Sequence, residues 1–179
     1  MFDFLKRKNK HNTKEKAIAE ERVVRFGDLH DIGLDCYNAS DLRLIYGRFG
    51  ALRYDREDNN GKRDLAGPKR EGYVSNATMG TFEVFRDIVK LSWHDYDDNV
   101  INYEFYFEDI FKDKIIPHLK EEEDLIFWDS PYRGIPGIII EVDNRTLNIY
   151  SDVNIRLVIP NTNKIKTRRD RLLAFSKTF

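Results

Sequence analysis

Residues 89–107 alternate apolar and polar side chains twice, on either side of an acidic pause. Val89, Leu91 and Trp93 are interleaved with Lys90, Ser92 and His94; residues 95–99 interrupt; Ile101, Tyr103, Phe105 and Phe107 then alternate with Asn102, Glu104, Tyr106 and Glu108. A period of two sends successive side chains to opposite faces of a strand, whereas a helix would scatter these apolar residues around its circumference. The pattern predicts an antiparallel β-hairpin with one face on a core and the other in water.

The rest of the chain reads around that hairpin. Leu42, Leu44 and Tyr46 alternate with Arg43 and Ile45, and residues 47–50 carry glycines suited to a turn or bulge. Residues 138–142 and 147–150, separated by Asp143 and Asn144, predict a second hairpin; Val153, Ile155, Leu157 and Ile159 add a further strand that Pro160 ends. Phe82, Val84, Phe85 and Val89 fit a strand or a helix, and residues 167–175 likewise a helix or a strand. Short helices are expected over residues 12–25 and 108–119, and an exposed loop over residues 55–72, where Asn59-Asn60-Gly61 and Gly67-Pro68 sit among charges. The expected fold class is α+β, a mainly antiparallel β-sheet built from hairpins with a few short helices. Residues 1–26 form a basic leader and short helix, and residues 27–179 a single α+β domain.

Composition narrows the function. A chain of 179 residues with 41% hydrophobic residues can bury a core, and 10 Gly with 5 Pro exclude collagen-like or low-complexity chains. The single cysteine, Cys36, rules out an internal disulfide and a cysteine-rich zinc site; a buried, inert thiol is its plain reading. The basic run Lys6-Arg7-Lys8 is not followed by the apolar stretch of a signal peptide, and no run approaches a membrane span. A cytoplasmic protein without a membrane partner is expected.

Catalytic patterns are missing. The four histidines are scattered, and His94 beside Asp95 is most simply a polar strand residue next to a turn. Residues 95–99 imitate the start of a calcium loop, but the sixth position is Val100 where glycine is needed and the twelfth is Tyr106 where a carboxylate is needed. Residues 134–137 and 47–50 lack the lysine and hydroxyl of a phosphate loop and read as turns. The expectation is therefore no enzyme, no metal, no cofactor and no small-molecule substrate.

Charge is partitioned along the chain. Residues 87–129 hold 13 acids and 4 bases, residues 1–26 hold 8 bases and 4 acids, and the tail from Pro160 holds 6 bases and 1 acid, so the net charge of -1 hides an acidic middle between basic ends. One reading is that acidic and basic segments face each other or simply solvate a face. The other is an acidic surface for a basic protein partner, made of Asp95, Tyr96, Asp97, Asp98, Glu104, Tyr106, Glu108 and Asp109 with Glu121, Glu122, Glu123, Asp124 and Trp128. Acids steer encounter and fix register, and aromatic side chains anchor.

The opening Met1-Phe2-Asp3-Phe4-Leu5-Lys6-Arg7-Lys8, the acidic hairpin and an α+β layout without an active site resemble small immunity proteins of polymorphic bacterial toxins, contact-dependent inhibition systems included. Residues 89–116 are similar to an uncharacterised family of bacterial proteins, many of them lipoproteins, from which this chain departs by lacking a lipobox cysteine near its start. The first resemblance implies a role and no specific residues: binding a cognate toxin domain, a nuclease foremost, and occluding its active or substrate-binding site. The alternative is a nucleic-acid-binding accessory protein gripping phosphates with Lys6 to Lys16 and Lys164 to Arg171; the acidic middle argues against nucleic acid.

Overall fold

The computed structural model describes residues 23–53, 66–68 and 79–179. The basic leader, most of the helix expected over residues 12–25 and most of the loop expected over residues 55–72 lie outside them. The described chain is β-rich: β1 (Leu29–Tyr37), β2 (Ser40–Tyr46), β3 (Phe49–Arg53), β4 (Gly80–Glu83), β5 (Ile88–His94), β6 (Val100–Tyr106), a single helical turn α1 (Phe107–Ile110), then β7 (Tyr132–Asp143), β8 (Thr146–Val158) and β9 (Ile165–Thr178). Five strands form one sheet in the order β4-β1-β7-β8-β9, and four form a second in the order β3-β2-β5-β6.

One continuous core joins the two sheets. Ile32 and Leu34 of β1, Ile138, Ile140 and Val142 of β7, and Leu147 and Ile149 of β8 pack with Leu42, Leu44, Val89, Leu91, Trp93, Ile101 and Phe105 of the second sheet. Trp93 is fully buried and its indole N–H donates to the Asn144 carbonyl at 2.7 Å, so its polar atom is satisfied where the β7–β8 turn meets the second sheet. At the opposite end the core is almost entirely aromatic. His30 lies within 5.5 to 6.4 Å, ring centre to ring centre, of Phe26, Tyr46, Phe82, Phe85 and Phe107. Neither imidazole nitrogen has a hydrogen-bond partner among the described residues, and burial pushes its pKa down to about 4.

The expected β5–β6 hairpin is present, with Val89 opposite Phe105 and Lys90 opposite Glu104. Several expectations change. The strands read as 147–150 and 153–159 are one strand, β8, because the inward Ser151 that breaks the apolar rhythm donates its hydroxyl to the Pro117 carbonyl and so can be buried. Residues 134–137 are a bulge within β7 and not a turn. Residues 108–119 do not make one helix: Asp113 and Lys114 take positive φ, the Lys114 carbonyl accepts from the Phe26 N–H, and the Ile116 N–H donates to the Val24 carbonyl. Residues 80–83 and 165–178 are strands. The parallel pairing of β1 with β7 departs from an all-hairpin plan.

Candidate functional site

The hairpin carries the first part of the expected acidic surface, and its turn is held by one of the acids. Asp95 accepts hydrogen bonds from the Asn99 and Asp97 backbone N–H groups at 2.8 and 3.0 Å and from the Asn99 side-chain amide. Its side chain is only 1% exposed. Burial alone would raise its pKa, but these donors, with Arg145 nearby, outweigh burial and hold the carboxyl below its ordinary value. Asp95 therefore organises the turn from inside and is removed from the expected contact surface. The carboxylate that approaches His94 is Asp98, at 2.9 Å, with Asp41 at 3.8 Å on the other ring nitrogen. Tyr96, whose N–H donates to the Asn144 side chain, is 67% exposed.

Beyond the turn the acids line β6. This strand is the edge of its sheet. Val100, Asn102, Glu104 and Tyr106 all face out, and Glu108 and Asp109 follow in α1, likewise exposed. Lys90, directly across from Glu104, pairs with it at 3.1 Å on the same outer face. Tyr96, Asp97, Asp98, Glu104, Tyr106, Glu108 and Asp109 thus form one strip along an open sheet edge.

Glu121, Glu122, Glu123 and Asp124 do not join it. Residues 117–125 fold over the far end of β8 and β9. Asp170, fully buried, accepts both arms of Arg168 at 2.7 and 2.9 Å and the Leu119 N–H at 2.9 Å. Arg168 also donates to the Leu119 and Glu121 carbonyls. Lys166 donates to Glu122 at 2.6 Å, and Lys120 to Glu123 at 2.9 Å. The Lys166 hydrogen bond foremost holds Glu122 below its ordinary pKa, and Lys120 does the same for Glu123. Buried His118 completes this clasp, its Nδ1–H donating to the Ile116 carbonyl and its Nε2 lying 3.7 Å from Glu123. Trp128 is half-buried and packs against the core.

The two acidic groups are far apart. Tyr96 bonds to Asn144, next to the start of β8, while Glu122 bonds to Lys166, which pairs near the opposite end of β8 with Leu157. The length of strand between them is on the order of 35 Å. The clasp also occupies the basic tail: besides Lys166 and Arg168, both Arg169 and Arg171 donate to Asp152. A phosphate backbone would have to compete with carboxylates already seated on these cations.

A feature the sequence reading did not single out is a cleft of about 600 Å³ between the β2–β3 and β4–β5 turns, floored by Tyr46, Phe49 and Phe82 and rimmed by Arg48, Glu83, Arg86 and Asp87. Gly47 lines it too, at a φ of +59° and with the Asp87 carboxylate 2.5 Å from where a Cβ would stand, so a larger residue there would be strained and would push Asp87 aside. Its rim is charge-balanced, and Arg86 pairs with Glu83. Cys36 is buried in the core; burial first, then Asp143, Asp35 and Asp41, push its thiol up to about 12, which keeps it protonated and unreactive.

No helix among the described residues is long and apolar enough to cross a membrane, and no group of three or more His, Cys, Asp or Glu among them is placed to hold a metal ion. No family model, curated protein or solved structure matches the chain.

Proposed function

We propose that this protein is a non-enzymatic inhibitor, an immunity protein that acts in the cytoplasm by binding a basic toxin domain, foremost a nuclease, and occluding its active or substrate-binding site. The observation that carries this reading is the β6 strip: five exposed carboxylates, Asp97, Asp98, Glu104, Glu108 and Asp109, run along an open sheet edge with exposed Tyr96 and Tyr106 among them. A nuclease must present cations to bind phosphates, and a carboxylate strip complements such a surface. Acids steer association; the two tyrosines supply area that stays rigid on binding. Toxin binding is assigned to β6 and its flanks, and the 121–124 segment is left to the clasp.

Co-expression with the C-terminal domain encoded by the neighbouring reading frame tests the reading. Growth restored by this protein, co-purification of the pair, and loss of both in the variant carrying Asp97→Lys, Asp98→Lys, Glu104→Lys and Glu108→Lys are expected. Equal growth impairment with and without this protein overturns it.

A further inference from the structure

We infer that the partner is captured by strand addition: an extended basic segment pairs with the free edge of β6 and continues the second sheet. This rests on the proposed inhibitor function and specifies its recognition mode.

The hydrogen-bond phase of the hairpin places the unused backbone groups. Asp95 N–H donates to the Asn99 carbonyl at the mouth of the turn. Antiparallel ladders alternate hydrogen-bonded and non-hydrogen-bonded pairs. Ile101, Tyr103 and Phe105 therefore bond to β5, and the N–H and C=O groups of Val100, Asn102, Glu104 and Tyr106 turn toward the open edge. Among the described residues no strand pairs with β6 on that side. The same four residues carry the exposed side chains, so one edge offers a backbone template and outward side chains together.

Charge selects the occupant. In the register that pairs all seven residues of β6 with a second copy of itself, Asp98 would meet Glu108 and Asp97 would meet Asp109, acid against acid at both ends. A strand bearing Lys or Arg at its two ends turns both repulsions into attraction, and one opposite Glu104 adds a further opposite-charge pair.

The probe is an acetylated peptide of about nine residues alternating Lys and Val, about the length needed to cover β6, with its fully N-methylated counterpart as a control that keeps charge but cannot donate from its backbone. The full chain is expected to bind the unmodified peptide saturably, and the methylated one at least about tenfold more weakly. Hydrogen exchange at Val100, Asn102, Glu104 and Tyr106 should slow on binding, while that at Ile101, Tyr103 and Phe105 stays as it was. Asn102→Pro, which removes an edge-facing N–H that β5 does not use, should weaken binding without changing any charge; its melting temperature reports folding. If both peptides bind equally, or protection does not alternate, strand addition falls while co-expression rescue still supports the inhibitor. If neither peptide binds, strand addition also falls, and the co-expression result alone decides the broader reading.

Discussion

Two acidic stretches, close in sequence and alike in composition, meet opposite fates in the fold. Residues 121–124 lie against β9, where Lys166 neutralises Glu122 and Arg168 holds the backbone at Leu119 and Glu121. The acids along β6 lie on a sheet edge, where Glu104 pairs with Lys90 across the outer face. What separates them is which strand each is folded against. The first stretch works as part of the protein's own structure, and the second has charge left for another molecule.

The largest test of this difference is Asp170, the buried end of the clasp. Replacing it by Ala leaves Arg168 without its bidentate partner and the Leu119 N–H without an acceptor. The variant should lose about 3 kcal/mol of unfolding free energy in urea titration, while the folded fraction binds the basic peptide as before. A stability loss below about 1 kcal/mol would show that the clasp matters no more than a surface ion pair and would erase the distinction.

Titration with acid has to be separated from His30, which belongs to neither region. Its imidazole is held neutral by burial, with its pKa lowered to about 4 from 6.5. Between those values the unfolded chain binds the proton and the folded chain does not. Its contribution to stability is therefore full above pH 6.5 and lost progressively as pH falls to about 4, on the order of 3 kcal/mol in all. His30→Leu should flatten that limb. Below it, the carboxyls held under their ordinary pKa titrate: Glu122 and Glu123 contribute stability above about pH 4.5 that is lost as pH falls further, whereas Asp95 in the β5–β6 turn begins to lose its contribution only below about pH 3.8. In the His30→Leu background, hydrogen exchange should therefore quicken in the clasp on acidification before it does in the β5–β6 ladder. Loosening of the ladder first would reverse the assignment of the two regions.

Asp95 sharpens the boundary, because it belongs to the strip by sequence and to the interior by structure. Asp95→Ala removes the acceptor for the Asn99 and Asp97 amides and should cost about 2 kcal/mol, visible as a lower denaturation midpoint, with the β5–β6 turn fraying first in hydrogen exchange. A neutral result would return Asp95 to the surface set.

These contrasts also mark what a sequence can tell. The β5–β6 hairpin was legible because its apolar residues alternate without a break, and the β7–β8 turn because Asp143 and Asn144 separate two apolar runs. β1 went unread although Ile32, Leu34 and Cys36 alternate with Asp31, Gly33 and Asp35, because Gly and Asp are poor strand formers and because each residue's partner in β7 lies 106 positions on, in a parallel pairing that no local turn announces. Ser151 split β8 on paper since nothing local announces that Pro117, 34 residues earlier, will accept its hydroxyl. The acidic surface was half legible for the same reason. Counting charge along the chain located the carboxylates, but Glu122 and Lys166 are 44 residues apart, and only the fold brings them together. Asp95 was misplaced because an acid in an acidic turn looks like its neighbours until its lone pairs are assigned.

The smallest effect is the one that isolates the strip. Asp97, Asp98, Glu104 and Glu108 are all exposed, and reversing them to Lys removes one cross-strand pair, Glu104 with Lys90, and the contact of Asp98 with His94. Repulsion among the acids is exchanged for repulsion among the new lysines, one of which faces Lys90. All of these groups are exposed and each term is small, so stability should fall by no more than about 1 kcal/mol. Association with a basic partner should respond far more: its rate should fall, and the dependence of that rate on salt should weaken or change sign, because the steering field has been inverted. Stopped-flow association at two ionic strengths reads both quantities. A large stability loss with unchanged association would mean that the β6 acids serve the fold as the clasp acids do, and that the partner's surface lies elsewhere.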